Sequence, residues 1–162
     1  MLFRSLLGLN GFQVPRKGTL GDDLVFSSVK LVGFLEEVAG LKPGDKLRNG
    51  LDIPPWIWER RSYRVACLRG LMDTDGSSFV HRYQVNGKWY RYPKLAFCSM
   101  SDRLLESVFR LFLELGFHPR LAAGSHQVFI DRRDEFRRFH QVVGTRHQRR
   151  KVIANKFVRR GV

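Results

Sequence analysis

Two aspartates one residue apart, Asp73 and Asp75, close an apolar stretch that reads as a helix from about Tyr63 to Met72. Carboxylates at a helix C-terminus meet its partial negative charge, which costs about 0.3–1 kcal/mol each unless a cation compensates. A divalent cation does so, since Mg²⁺ takes oxygens from one or two carboxylates, backbone carbonyls, water and substrate phosphate. Gly76 follows and reads as the left-handed stop of the helix. Ala66 and Gly70 lie four apart on one helical face, and residues that small let a second helix come close. Two such helices side by side bring two carboxylate sets to one place. An Asp-x-Asp-Gly run also has plainer readings. A calcium loop needs an oxygen ligand at position 71 and a glutamate at position 82, where this chain has Leu71 and Arg82. A turn after a helix fits the run equally well when the run is taken alone.

The charge of the chain narrows its partners. Residues 1–60 hold 8 basic and 7 acidic side chains, whereas residues 61–162 hold 21 basic and 8 acidic, so nearly all of the formal net charge of +14 lies behind the carboxylate pair. A field of that sign concentrates a polyanion and gains from counterion release, which makes nucleic acid the leading partner. No basic amphipathic helix or lipidation signal supports a membrane surface instead. No apolar run reaches the length of a span, and the apolar start, Met1 to Leu9, lacks a long hydrophobic region and a cleavage site, so a cytoplasmic protein is expected. Cys67 and Cys98 have no neighbouring Cys or His at ligand spacing; both read as buried thiols rather than as zinc ligands or a disulfide framework.

The elements around the carboxylates read as α+β. Asn86-Gly87 between Phe79–Val85 and Lys88–Phe97 is a two-residue hairpin signal. Beyond it, Ser99 and Asp102 form a capping-box pattern ahead of Leu105, Val108, Phe109 and Phe112 at helical spacing. A weak internal repeat pairs Leu6–Gly40 with Leu111–Gly144. Each copy runs through Gly-Phe, then Pro-Arg, then a short strand (Leu24–Phe26 and Val128–Ile130), then a helix with a polar start (Ser27 and Asp131) and a glycine stop (Gly40 and Gly144). A further strand fits between Leu121 and Ile130. The second copy carries the helix and hairpin upstream of it, and the first does not. The order of parts divides the chain into residues 1–48, the back part of an incomplete repeat; a Gly- and Pro-rich join, 49–62, ending in Trp56 and Trp58; and a complete unit, 63–162.

The nine residues Leu68-Arg69-Gly70-Leu71-Met72-Asp73-Thr74-Asp75-Gly76 resemble the motif of the LAGLIDADG homing endonucleases, departing at Arg69, Met72 and Thr74. The Pro- and Trp-containing lead-in Asp52–Trp58, the hairpin, the helix closed by Gly116 and the segment Val143–Lys151 resemble the second half of two-motif, intein-associated members. The resemblance implies an αββαββα unit with an antiparallel sheet and the motif helix at a pairing interface. It implies site-specific, metal-dependent double-strand cleavage of DNA, with Mg²⁺ or another divalent cation held by Asp75 and the Thr74 carbonyl. Ala66, Gly70, Asp73 and Gly76 would then line or buttress the helix interface. Arg146 or Lys151 would stabilise charge near the scissile phosphate, a role with an electrostatic rationale.

Counting from Gly76 as the family does, Ser77, Phe79, His81 and Tyr83 face the major groove with cross-strand partners Tyr90, Tyr92 and Lys94, which leaves Arg82 and Arg91 on the reverse face. Arg82, Arg91, Lys88, Arg149 and Arg150 complete the set expected at DNA; residues 132–160 alone hold eleven basic and two acidic side chains, which suits phosphate. With a single complete motif, the resemblance implies a homodimer or pairing with a second LAGLIDADG chain. The alternative is an RNA maturase, with an intron as partner, or a DNA-binding remnant that no longer cuts. A fragment of an intein fits less well, because terminal Cys, Ser or Asn splice residues are lacking.

Overall fold

A computed structural model of the chain describes residues 8–122, 124–148, 151–152 and 155, arranged as two units that divide between Pro43 and Gly44. The first unit holds an antiparallel hairpin, β1 (Phe12–Pro15) with β2 (Asp22–Val25), followed by helix α1 (Val29–Glu37). The Ser28 hydroxyl accepts from the Leu31 N–H to start the helix, and Gly40, at φ +67°, ends it. No residue of α1 is buried.

The second unit runs through a short 3₁₀ turn (Pro55–Trp58), α2 (Arg61–Thr74), β3 (Gly76–Val85), β4 (Lys88–Cys98), α3 (Asp102–Glu114), β5 (Arg120–Leu121), β6 (Gln127–Ile130) and α4 (Arg133–Val142). From α2 onward the order is αββαββα, with a four-stranded antiparallel sheet ordered β3-β4-β6-β5. The hairpin turns where expected: Asn86 and Gly87 both take positive φ (48° and 77°), the twist that a two-residue loop needs.

Alternation in the strands sets the faces. Leu95, Phe97, Val128 and Ile130 point inward and are at most 1% exposed, with Leu95 opposite Ile130 and Phe97 opposite Val128. Against them lie Leu68 and Met72 of α2, Leu104, Leu105, Val108, Leu111 and Phe112 of α3, and Phe136 and Phe139 of α4. Each such side chain contributes about 1.5–3 kcal/mol on burial. The stretch before α2 packs on this core too, through buried Ile53 and Ile57. The Ser101 hydroxyl donates to the Leu51 carbonyl (2.9 Å), and the Arg110 guanidinium lies over the Trp58 ring (4.5 Å).

Side chains of α4 satisfy the end of α3. Gly116, at φ +81°, closes α3, and Arg138 of α4 donates to the Gly116 and Leu115 carbonyls (2.6 and 2.8 Å). The buried Glu135 carboxylate accepts from the His118 N–H (3.1 Å) and contacts its ring.

Three sequence expectations are corrected. The cap of α3 is Ser101, whose hydroxyl accepts from the Leu104 N–H (3.3 Å); Ser99 bends the approach by accepting from the Ser101 N–H. Cys98 is exposed, since alternation along β4 turns Leu95 and Phe97 inward and Cys98 outward, whereas Cys67 is half-buried and its thiol is pushed up to about 11 by burial. Gly76 is not in the left-handed region. It is glycine because a Cβ there would lie 2.6 Å from the Met72 carbonyl oxygen and 2.7 Å from its Cα. The chain passes from α2 into β3 with no room for a side chain.

Candidate functional site

Helix α2 is half-buried along its length, and the face turned outward is made of small residues. Ser62, Ala66, Gly70 and Thr74, four apart, are all exposed, and a Cβ built at Gly70 meets nothing within 4 Å. This face ends at Asp75, which is exposed and caps the helix through its N–H to the Leu71 carbonyl (3.0 Å). Thr74 turns its hydroxyl back to the Gly70 and Leu71 carbonyls (3.2 and 3.1 Å), with the Asp75 carboxylate 3.4 Å away. Asp75 therefore presents carboxylate oxygen to solvent beside an open helix face.

Asp73 is engaged differently. It points to the segment after α4, accepting from the Arg146 N–H (2.8 Å) and from the Thr145 hydroxyl. One turn earlier, Arg69 donates to the Val143 carbonyl (2.5 Å), satisfying the end of α4. The motif helix thus grips residues 143–146 at two successive turns and fixes the backbone that carries Arg146. The Arg146 side chain and Lys151 are exposed, and Lys151 continues a helical turn through its N–H to the His147 carbonyl (3.1 Å). Arg149 and Arg150 lie outside the described residues.

Behind the grip sits His140, packed on the Phe136 and Phe139 rings (4.7 and 5.4 Å between centroids), with its Nε2 buried and without a hydrogen-bond partner. Burial pulls its pKa down to about 4 despite the nearby Asp73. Among the described residues no cluster of three or more His, Cys, Asp or Glu gathers into a metal cage within one chain.

The sheet face turned away from the core is aromatic and basic. In register across β3 and β4, Ser77 pairs with Ala96, Phe79 with Lys94, His81 with Tyr92 and Tyr83 with Tyr90. Tyr83 stacks on Tyr90 (5.3 Å, 17°), and both Tyr83 and His81 meet Tyr92 edge-on (5.7 and 5.3 Å). Lys88 reaches over the Tyr90 ring at 6.0 Å, and Lys94 over Tyr92 at 5.0 Å. The face continues onto β6 and β5, where Arg120 covers Phe129 (4.9 Å).

Asp131 joins the two halves of this surface, bridging Lys94 and Arg120 at 2.7 Å each. Burial opposes its charge, but the hydrogen bonds from Arg120 and Lys94 outweigh that and hold its carboxyl below the usual range. Arg120, Phe129 and Asp131 are absent from the sequence-based set of DNA-facing residues. The alternation in Gln127-Val128-Phe129-Ile130, with Val128 and Ile130 inward, is the signal that turns Phe129 out. Arg82 and Arg91 fall on the reverse face as expected, and no burial results, because the whole hairpin tip from Arg82 to Arg91 is exposed.

The sequence profile of the LAGLIDADG-like domain matches residues 62–144, half of the chain, spanning α2 to the glycine that ends α4. The chain belongs to the LAGLIDADG family. Its α+β architecture of four helices and antiparallel sheets is the fold of that family. LAGLIDADG proteins bind DNA, often dimerise and are generally nucleases, and those nucleases typically use divalent metals. No curated protein matches the chain. Among the described residues no helix is long and apolar enough to cross a membrane.

Proposed function

We propose that this chain is a site-specific homing endonuclease of the intein-associated type, cleaving both strands of DNA when two motif helices pair. One observation carries the reading: Asp75 lies exposed at the end of an open small-residue face of α2, while Asp73 is occupied in holding the Arg146 backbone. Helices approach closely along such a face, so a second motif helix would bring a second Asp75 equivalent beside the first. That helix comes from a second copy or from another LAGLIDADG polypeptide. On this reading residues 1–48 are the back part of a repeat, 49–62 a join and 63–162 the endonuclease unit.

The donor set fits a hard cation such as Mg²⁺: the Asp75 carboxylate and the Thr74 carbonyl are oxygens, and one or two carboxylates suffice when water and phosphate complete the sphere. A divalent cation bound there supplies an activated water and stabilises the leaving oxygen. The chain's own part is positional. The outer sheet face, with Ser77, Phe79, His81, Tyr83, Tyr90, Tyr92 and Lys94, suits the major groove, into which a β-ribbon fits. Asp73 and Arg69 hold the loop from which Arg146 reaches the phosphate, with Lys151 beyond it.

The test is cleavage of a randomised duplex library with Mg²⁺, alongside the solution mass of the protein and of Gly70→Leu. Metal-dependent double-strand breaks by a paired species, with pairing and cleavage both abolished in Gly70→Leu, support the proposal. Salt-sensitive binding without cuts assigns the chain to the alternative, an RNA maturase or a DNA-binding remnant on this fold.

A further inference from the structure

The reverse face of the hairpin tip carries a cluster that duplex recognition by the outer face does not use. Arg82 and Arg91 are direct cross-strand partners, and the next rung toward the turn pairs Gln84 with Trp89. Like charges directly opposite one another destabilise a strand pair. Neither guanidinium has an ion pair or hydrogen bond among the described residues. Trp89 is 64% exposed, which is unusual for the largest apolar side chain. Its partner Gln84 does not cover it, because the Gln84 amide turns to the Gly87 carbonyl (3.1 Å). The three side chains Arg82, Trp89 and Arg91 line an open cavity of about 390 Å³.

An exposed indole beside two unpaired guanidiniums matches the chemistry of an unpaired nucleotide: a flat base to stack and a phosphate to neutralise. Stacking on an aromatic ring tolerates any base, because every base has a π-face. A duplex offers no free base face to Trp89, as its bases are stacked on one another. We propose that this reverse face of the hairpin tip binds single-stranded nucleic acid, with Trp89 stacking a base and Arg82 and Arg91 holding the adjoining phosphate. The tip then has two working faces, the tyrosine and histidine ladder on one side and this cluster on the other. The inference does not depend on cleavage.

The experiment measures binding of the full chain to a short labelled single-stranded DNA of mixed sequence and, separately, to the matching duplex. It is run for wild type, Trp89→Ala and the double variant Arg82→Gln, Arg91→Gln, with far-ultraviolet circular dichroism to check folding. All three positions are exposed, so the fold should stand. Trp89→Ala should weaken single-strand binding by about 5- to 150-fold, equivalent to removing one base stack, and leave duplex affinity unchanged. The double variant should flatten the log–log salt dependence of single-strand binding by about 0.7 for each phosphate it no longer neutralises. The proposal is overturned if wild type does not bind the single strand, if neither variant changes that binding, or if both lower duplex affinity as much as single-strand affinity. The last result would place the cluster at the duplex interface.

Discussion

The β1-β2-α1 and β5-β6-α4 segments have the same order of parts and the same glycine stops, Gly40 at φ +67° and Gly144 at φ +72°, yet they differ in burial. In the second, Val128, Ile130, Phe136 and Phe139 are at most 2% exposed; in the first, Leu24 is 63% exposed, Val32 51% and Phe34 50%. Local sequence specifies the glycine stops in both, and the N-terminal side-chain cap is better in the first, where Ser28 caps α1 and no side chain caps α4. What differs is the cover: β4, α2 and α3 lie over the second copy, while no residue of α1 is buried. Secondary structure here is written locally, and stability is conferred by the elements around it.

That contrast can be broken most severely at Phe139. Phe139→Ala should cost about 3–5 kcal/mol in urea denaturation, the usual penalty for truncating a buried ring. A cost under about 1 kcal/mol, below the usual range for such a site, would mean that the second copy does not depend on its cover. The cover is itself sensitive where α2 passes into β3. Gly76→Ala drives a methyl into the Met72 backbone and should cost about 1–3 kcal/mol by overpacking, whereas Gly70→Ala, with open space around it inside α2, should raise the stability of the chain by about 0.5–1 kcal/mol.

Acid provides a gentler probe of the second copy. His140 is held down to about 4 by burial, against 6.5 when free. Between those values the unfolded chain binds a proton that the native chain does not, so stability is fully present above pH 6.5, falls as pH drops through the window and levels off below about 4. His140→Phe should therefore lessen the fall in Tm between neutral and mildly acid pH. An equal fall in wild type and variant would remove His140 from the account. The smallest effect belongs to the first copy: Phe34→Ala should change stability by no more than about 0.5 kcal/mol, as at other exposed sites.

Much of the second unit is legible in the sequence because its signals are local. The hairpin follows from Asn86-Gly87, the core face of α3 from its helical spacing, and both glycine stops from their place at the ends of periodic stretches. The N-cap of α3 is less legible, because Ser99 and Ser101 are both capable caps and only the path of the chain past Leu51 decides between them. Gly76 misleads for a different reason: helix stops and close approaches both select glycine, and spacing alone does not tell them apart. The grip of Arg69 and Asp73 on residues 143–146 is not legible in detail, since it joins positions more than 70 residues apart. Within the family motif Arg69 reads only as a departure, and its hydrogen bond to Val143 gives that departure a structural role.

The central claim is that the two carboxylates of the motif have different work, Asp75 at the metal and Asp73 in positioning. It is tested most directly by assaying Mg²⁺-dependent duplex cleavage for wild type, Asp75→Asn and Asp73→Asn at matched duplex binding. The account predicts that Asp75→Asn binds and does not cut, while Asp73→Asn, whose amide oxygen still accepts from the Arg146 N–H, keeps measurable cleavage. Cleavage retained in Asp75→Asn and abolished in Asp73→Asn would contradict it.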